Sequence, residues 1–369
     1  MHGIYRACMT GLVNISRRAA PLLLVPISLV LHFGNYAPAP WIFLAGLSAI
    51  VVLADWVRRG TEQAAEYTGG AIGSLLNVSF GNAAELVLAL FVLTRANAQV
   101  VQAQITGSII GTTLLFLGIA ALAGGLSHPR QSFGKAQVSL LSTLLLLVSV
   151  AIMLPAVFDI TERGLTSQAS LSFRDEQLSL GVSVVLLLLY AFHLVYVLVT
   201  HRDMFGRPAA GAAAAWPLPV ALLVMVGATA GIAMESDVVS ERLSEAAAHS
   251  GLSPVFMGVV VLALVGTLAD LFAAVAFARR DKMDIAIGMC LGSAIQIALV
   301  VAPLLVIVSW AIGHPMNLVF GRPLDLFVIA SAAFIVRSIA ADGETTWYEG
   351  FLLIGVYVLF ATAYFFDTK

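Results

Sequence analysis

Eleven stretches of about twenty mostly apolar residues follow one another along the chain, each long enough to cross a bilayer as a helix. They fall at roughly 21–36, 39–57, 69–94, 101–126, 136–158, 178–200, 216–235, 253–278, 284–311, 323–341 and 346–366, with short polar connectors between them. This pattern predicts an all-α polytopic membrane protein. Composition agrees, since 60% of the residues are hydrophobic and 11% charged, against roughly 25% charged in soluble domains. Mean hydropathy is +0.97. With 19 Lys and Arg against 21 Asp and Glu, no positive excess points to a nucleic acid. Cys8 and Cys290 make neither a disulfide framework nor a zinc or redox spacing, and Cys290 reads as a packing residue.

Arg6, Arg17 and Arg18 ahead of the run Pro21–Leu31 have the look of a secretory signal. The following Phe33-Gly34-Asn35-Tyr36-Ala37-Pro38 offers no small-residue cleavage site, so the first helix is expected to stay. The longest connectors are Asp159–Gln177, Thr200–Ala215 and Glu235–Gly251; Arg202–Ala215, with Gly206, Pro208 and its alanines, reads as a flexible link between two halves. That link is not acidic, and no separate regulatory cation domain is expected. Cytoplasmic loops carry the excess of Lys and Arg. With the N-terminus inside, Arg6, Arg17, Arg18, Arg58, Arg59, Arg130, Lys135, Arg202, Arg207, Arg279, Arg280, Lys282 and Arg337 fall on the cytoplasmic side, 13 of the 19 basic residues. Arg95, Arg163, Arg174, Arg242, Arg322 and Lys369 fall outside, as does the C-terminus.

Sliding the chain by 185 residues lays Gly81-Asn82-Ala83-Ala84-Glu85-Leu86 on Gly266-Thr267-Leu268-Ala269-Asp270-Leu271. The same shift pairs Gly73 with Gly258, Ala89 with Ala274, and Gly107-Ser108-Ile109-Ile110 with Gly292-Ser293-Ala294-Ile295, without a gap. Five helices separate each helix from its counterpart, and an odd number inverts the repeat. The expected organisation is an N-terminal segment with the first helix (1–36), a first five-helix repeat (37–201), a cytoplasmic linker (202–215) and a second five-helix repeat (216–369). Glu85 and Asp270 then meet near the bilayer midplane.

A charged side chain at that depth costs about 2.5–3.5 kcal/mol on insertion scales and reads as functional. Gly81 and Gly266 permit close approach or local unwinding. Asn82 lies three residues before Glu85, so the two share a helix face, and Thr267 repeats the relation to Asp270. Ser108, with Thr112 one turn on, and Ser293, with Gln296 three on, add oxygens from neighbouring helices. An all-oxygen set suits a hard cation such as Ca²⁺. Two carboxylates facing each other in low dielectric cannot both stay ionised without a counter-charge. A cation or protons must occupy such a site, which ties cation release to protonation, as in an antiporter; two acids would exchange two protons for one divalent ion.

Plainer readings stand beside this one. The glycines, including Gly107, Gly292 and the Gly69-x-x-x-Gly73, Gly107-x-x-x-Gly111 and Gly288-x-x-x-Gly292 pairs, also suit helix packing. Intramembrane Asn and Ser often make ordinary interhelical hydrogen bonds. His193 reads as a packed residue, while His32, His249 and His314 belong to external ends where a solvated ring is the default. Glu62 and Glu66, four apart, read as a solvated face rather than an entrance ring.

Gly60-Thr61-Glu62-Gln63-Ala64-Ala65-Glu66, Leu75-Leu76-Asn77, Phe80-Gly81-Asn82-Ala83-Ala84-Glu85-Leu86 and Ile105-Thr106-Gly107-Ser108-Ile109-Ile110-Gly111 closely resemble the first repeat of the calcium/proton exchangers of the CAX family, within the cation/calcium exchanger superfamily. Ser253-Pro254, Asp281-Lys282-Met283-Asp284, Gly292-Ser293 and Gln296-Ile297-Ala298 extend the resemblance to about Trp310. It implies eleven helices, one N-terminal plus two inverted five-helix repeats, and proton-driven Ca²⁺ export without a cofactor. It further implies Glu85 as ligand and proton carrier, with Asn82, Ser108, Ser293 and Gln296 as supporting polar groups; such exchangers also carry Mn²⁺ or Na⁺. Where the family's second repeat has Gly-Asn-Ala-Ala-Glu-His, this chain has Gly266-Thr267-Leu268-Ala269-Asp270-Leu271, and Thr112 stands where Asn is usual. Asp is one methylene short, about 1.5 Å of reach, so the charge count survives while the geometry changes. A monovalent Na⁺ or K⁺/H⁺ exchanger, an intramembrane acid/base enzyme and a non-transporting sensor stay open as alternatives, the enzyme without any His-Glu-x-x-His motif. The oligomeric state stays open.

Overall fold

The computed structural model describes residues 20–95, 97–163, 168–200 and 216–367, without the side chains of 68–75, 77–79 and 168–170. Cys8, Arg6, Arg17, Arg18 and the Arg202–Ala215 link lie outside the described residues. Helices account for nearly all of it: α1 (Leu24–Gly34), α2 (Ala39–Gly81), α3 (Ala83–Arg95), α4 (Ala98–Gly125), α5 (Lys135–Glu162), α6 (Gln168–Val195), α7 (Leu218–Ser250), α8 (Pro254–Ala278), α9 (Met283–Ala311), α10 (Pro323–Ile339) and α11 (Trp347–Asp367). Among the described residues, eight of these helices are long and apolar enough to cross a membrane, while α1, α3 and α10 are shorter. Leu147 and Val150 on α5, Leu223 on α7 and Leu359 on α11 are more than half exposed. Apolar side chains bared in mid-helix mark a hydrocarbon-facing surface.

Several boundaries differ from those expected. No break separates residues 57 and 69; α2 stays helical through them and ends at Gly81. Its charges are satisfied along its own surface, Arg59 with Asp55 at 2.7 Å and Arg58 with Asp55 at 2.8 Å and with Glu62, so polarity does not end the helix. Leu76 and Phe80 nevertheless pack on the cluster of Ala64, Ala221 and Met225. In a straight helix residues 64 and 80 stand ~24 Å apart, so packing of both on one cluster means that α2 curves between them. The α7 helix likewise does not stop at Glu235 but runs to Ser250, because Val239, Leu243, Ala246 and Ala247 carry the buried stripe onward at helical spacing. Most of the Asp159–Gln177 connector is also helix, the ends of α5 and α6.

The helices α2 and α7 lie against each other along their length, Gly60 facing Met225, Leu53 facing Gly231 and Gly46 facing Val239. Closer still is the crossing of α4 and α8, where a Cβ on Gly107 would collide with the Val259 carbonyl and one on Gly258 would come within 2.7 Å of the Val100 oxygen. Only glycine permits backbone on backbone at this distance. Gln131–Ser132 (β1), in the α4–α5 connector, pairs antiparallel with Glu344–Thr345 (β2), in the α10–α11 connector. At the opposite end Arg95 bridges to Asp237 at 2.6 Å and Glu241 at 3.3 Å.

Among the described residues four π-helical turns interrupt the rods, Gly111–Phe116 in α4, Tyr196–Thr200 after α6, Met257–Leu262 in α8 and Ile297–Val301 in α9, the first and last at related places. Such turns recur where backbone is diverted toward a functional site. Gly107→Ala is expected to wedge α4 from α8 and lower thermal stability in detergent by about 1–3 kcal/mol. Gly227→Ala, with nothing within 4 Å of the added Cβ, should leave the melting curve in place or raise it slightly.

Candidate functional site

The one break in the α2–α3 path falls at Asn82, whose φ of −106° and ψ of 19° end α2 and start α3. Glu85 therefore sits in the first turn of α3, where freed N–H groups and the helix dipole favour a negative group. It is 1% exposed, and neither carboxyl oxygen has a hydrogen-bond partner among the described residues. Ser108 faces it from α4 without closing a hydrogen bond. An ionised carboxylate cannot rest there alone, so it carries a proton or meets a cation.

Gly266 sets the approach of α8. A Cβ there would stand 3.1 Å from the Glu85 Cβ and 3.3 Å from its Cα, so α8 presses directly on the Glu85 backbone. One turn on, Asp270 comes within electrostatic reach of Glu85. Asp270 is half-buried, faces Ser293 and lies in the field of Arg58. Asn82 Nδ2 donates to Gln296 Oε1 at 2.8 Å, and the Ser293 hydroxyl points to Asn82 Oδ1 at 3.5 Å. The Thr267 hydroxyl donates to the Ala263 carbonyl at 3.0 Å, and the Ser108 hydroxyl approaches the same oxygen at 3.5 Å. Glu85, Asp270, Asn82, Thr267, Ser108, Ser293 and Gln296 thus line one seam between α3 and α4 on one side and α8 and α9 on the other. Thr112 spends its hydroxyl on the Ser108 carbonyl at 2.8 Å.

The glycines divide by role. Gly107 and Gly266 are close-approach positions, Gly81 is exposed at the end of α2, and α8 runs unbroken through Gly266. The unwinding allowed for at Gly266 is thus absent. Gly292 does not pack as expected, since open space lies beside it in an unbroken turn of α9.

Three polar groups escaped the sequence reading. Arg58 falls in a connector by sequence, yet α2 is continuous there and brings it within electrostatic reach of Asp270. Gln104, fully buried with both amide atoms unpaired, lies one turn from Ser108 on the same face of α4. A glutamine four residues before Ser108 in an apolar helix was the available signal. Glu235, expected at a helix end, is fully buried in mid-helix. His32 is also not solvated, with a side chain 11% exposed and 3.9 Å from Glu241, whereas His249 and His314 are exposed. Cys290 is buried, and Glu62 and Glu66 are exposed. No group of three or more His, Cys, Asp or Glu forms a metal cluster among the described residues; the seam offers two acids and neutral oxygens.

The family model described as sodium/calcium exchanger protein matches residues 38–199 and 220–366. The chain is 37% identical over 365 residues to a Ca(2+)/H(+) antiporter of Synechocystis sp., covering 94% of this chain and 96% of that one. It is 35% identical to the Ca(2+)/H(+) antiporter ChaA of Bacillus subtilis, covering 92% and 96%. Among solved structures it is similar to native YfkE, with a TM-score of 0.80 at 32% identity over 95% of this chain and 99% of that one. A structure of the H+/Ca2+ exchanger CAX shares the fold, with a TM-score of 0.70 at 16% identity over 96% and 92%.

The Asn82–Gln296 bond joins the two sides of the seam, and its energy can be isolated. A double-mutant cycle of Asn82→Ala and Gln296→Ala, read by thermal unfolding, is expected to give a coupling of about 0.5–1.5 kcal/mol. A coupling of zero would mean that the two sides are not joined there.

Proposed function

The chain belongs to the family of sodium/calcium exchanger proteins, and from that premise we propose that it is a secondary active transporter exchanging Ca²⁺ for protons across a membrane. The observation that carries this is Glu85, buried without a partner at a helix break, with α8 pressed on it at Gly266 and Asp270 of that helix within electrostatic reach. The relatives' names support Ca²⁺ and protons as the exchanged ions. They lend nothing to a monovalent exchanger, an intramembrane enzyme or a sensor.

In this reading Glu85 and Asp270 take the cation when ionised and protons when it leaves. Asn82, Thr267, Ser108, Ser293 and Gln296 complete the shell with neutral oxygens, consistent with the six to eight or so that Ca²⁺ accepts. Gln296 and Ser293 orient the Asn82 amide, and Arg58 offsets the Asp270 charge while the site is empty. The shorter reach of Asp270 tunes affinity and selectivity among Ca²⁺ and related cations.

The chain crosses the membrane eleven times, as one N-terminal helix and two inverted five-helix repeats, 37–201 and 216–369. One pair of π turns supports the repeat, since Gly111–Phe116 moved by 185 covers 296–301, against the observed Ile297–Val301; Met257–Leu262 moved back by 185 covers 72–77, which is α-helix. The two blocks matched by the family model run close to the same limits. The N-terminus is cytoplasmic, the C-terminus external and the membrane that of the cell. Arg130, Lys135, Arg279, Arg280, Lys282 and Arg337 gather at the end of the β1–β2 pair, in keeping with the positive-inside rule.

Purified protein in liposomes is expected to accumulate radiolabelled Ca²⁺ when a proton gradient is imposed, and Glu85→Gln and Asp270→Asn should abolish uptake. Flux that ignores the gradient, or no flux in the wild type, would sink the exchange reading. Because protons and Ca²⁺ compete for the same carboxylates, Ca²⁺ binding should weaken as pH falls, with log affinity against pH approaching a slope of about two. Asp270→Glu is expected to keep transport and shift apparent Ca²⁺ affinity by about tenfold, measured as the concentration dependence of uptake.

A further inference from the structure

Outside the seam the bundle buries another acid. Glu235 lies in mid-α7, has no exposed surface, and neither of its carboxyl oxygens closes a hydrogen bond among the described residues. It faces α2 at Gly46, where an added Cβ would sit 3.5 Å from its Oε2 and 3.6 Å from the Ser28 hydroxyl of α1. Ser28 is itself fully buried, with its hydroxyl unpaired.

Charged and titratable groups on the surrounding elements leave the acid without a counter-ion. On α1 the one candidate is His32, a turn beyond Ser28 on the same face, with Nδ1 buried and unpaired and Nε2 3.9 Å from Glu241. From α3 comes Arg95, taken by Asp237 and Glu241. On α2 the next charge is Asp55, nine residues along from Gly46 and bound to Arg58 and Arg59. On α7 itself Asp237 and Glu241 add negative charge, and Arg242, two turns on, is taken by Glu245 at 3.4 Å and Glu241 at 3.9 Å. One carboxyl and one hydroxyl are too few ligands for a metal ion, and a lone carboxylate would be costly. The ligand that fits is a proton.

We propose that Glu235 is a proton-binding site separate from Glu85 and Asp270, holding a proton in this conformation and exchanging it with the Gly34–Ala39 end of the bundle along Ser28, His32 and Glu241. The site lies where α2 and α7 pack together. Ionised Glu235 must gain water or a cation, so loss of the proton requires the two helices to part at Gly46. Protonation of Glu235 therefore holds the pair in the position described.

The test is infrared difference spectroscopy of the purified full-length protein without Ca²⁺. At neutral pH a protonated carboxyl band free of strong hydrogen bonds is expected, lost in Glu235→Gln, shifted in Glu235→Asp and retained in the Glu85→Gln/Asp270→Asn double variant. Glu235→Gln mimics the protonated acid and should fold; were it not to fold, the shift in Glu235→Asp decides. His32→Phe is expected to slow deuteration of that band about tenfold or more. A spectrum with no such band, or a band unmoved by both Glu235 variants, would overturn the site, and unchanged deuteration in His32→Phe would overturn the route. Because these readouts need no transported cation, they fail or succeed apart from the exchange reading.

Discussion

A carboxyl sealed from water with neither oxygen hydrogen-bonded is the constraint around which the seam is built. Glu85 is held there because α3 starts at Asn82, because Gly266 lets α8 rest on its backbone, and because Gly107 and Gly258 bring α4 and α8 to backbone contact. Each of these positions is small or conformationally irregular, and each brings a neighbour closer than a larger side chain would allow. Close approach excludes water, and the exclusion makes a bare charge costly. A site built in this way has few inexpensive states, occupied by a cation or by protons.

The two acids are not equivalent. Glu85 is sealed at a helix break, while Asp270 is half-buried in an unbroken helix, beside Ser293 and within reach of Arg58. Two matching sequence blocks have therefore produced an uneven site. The shorter acid occupies the more open half, where water can make up for lost reach.

Much of this is legible in the sequence. The apolar runs predicted the long helices, and the 185-residue shift paired Glu85 with Asp270, because both signals come from residue types that hydrocarbon tolerates or rejects strongly. What could not be read is equally physical. The charges Arg58, Arg59 and Glu62 read as a connector, since composition does not reveal that they and Asp55 neutralise one another along one helix. Glu235 looked like a helix end for the same reason, as a carboxyl followed by Asp237, Glu241 and Arg242 reads as a surface. Only its burial against Gly46 and Ser28 separates it from them. The break at Asn82 and the continuity at Thr267 depend on packing that no local pattern encodes.

Asn82 and Gln296 stand 214 positions apart, and Gln102 reaches the Asn317 carbonyl 215 positions on. Synthesis runs from one end, so Glu85 enters the bilayer long before Ser293 and Gln296 exist. Throughout that interval the acid has none of its later neighbours from α8 and α9, and an unaccompanied ion at that depth is expensive. The nascent chain must therefore carry Glu85 as the neutral acid or keep it near water until α8 arrives. Biogenesis thus meets the same proton chemistry as the finished protein, at an earlier hour.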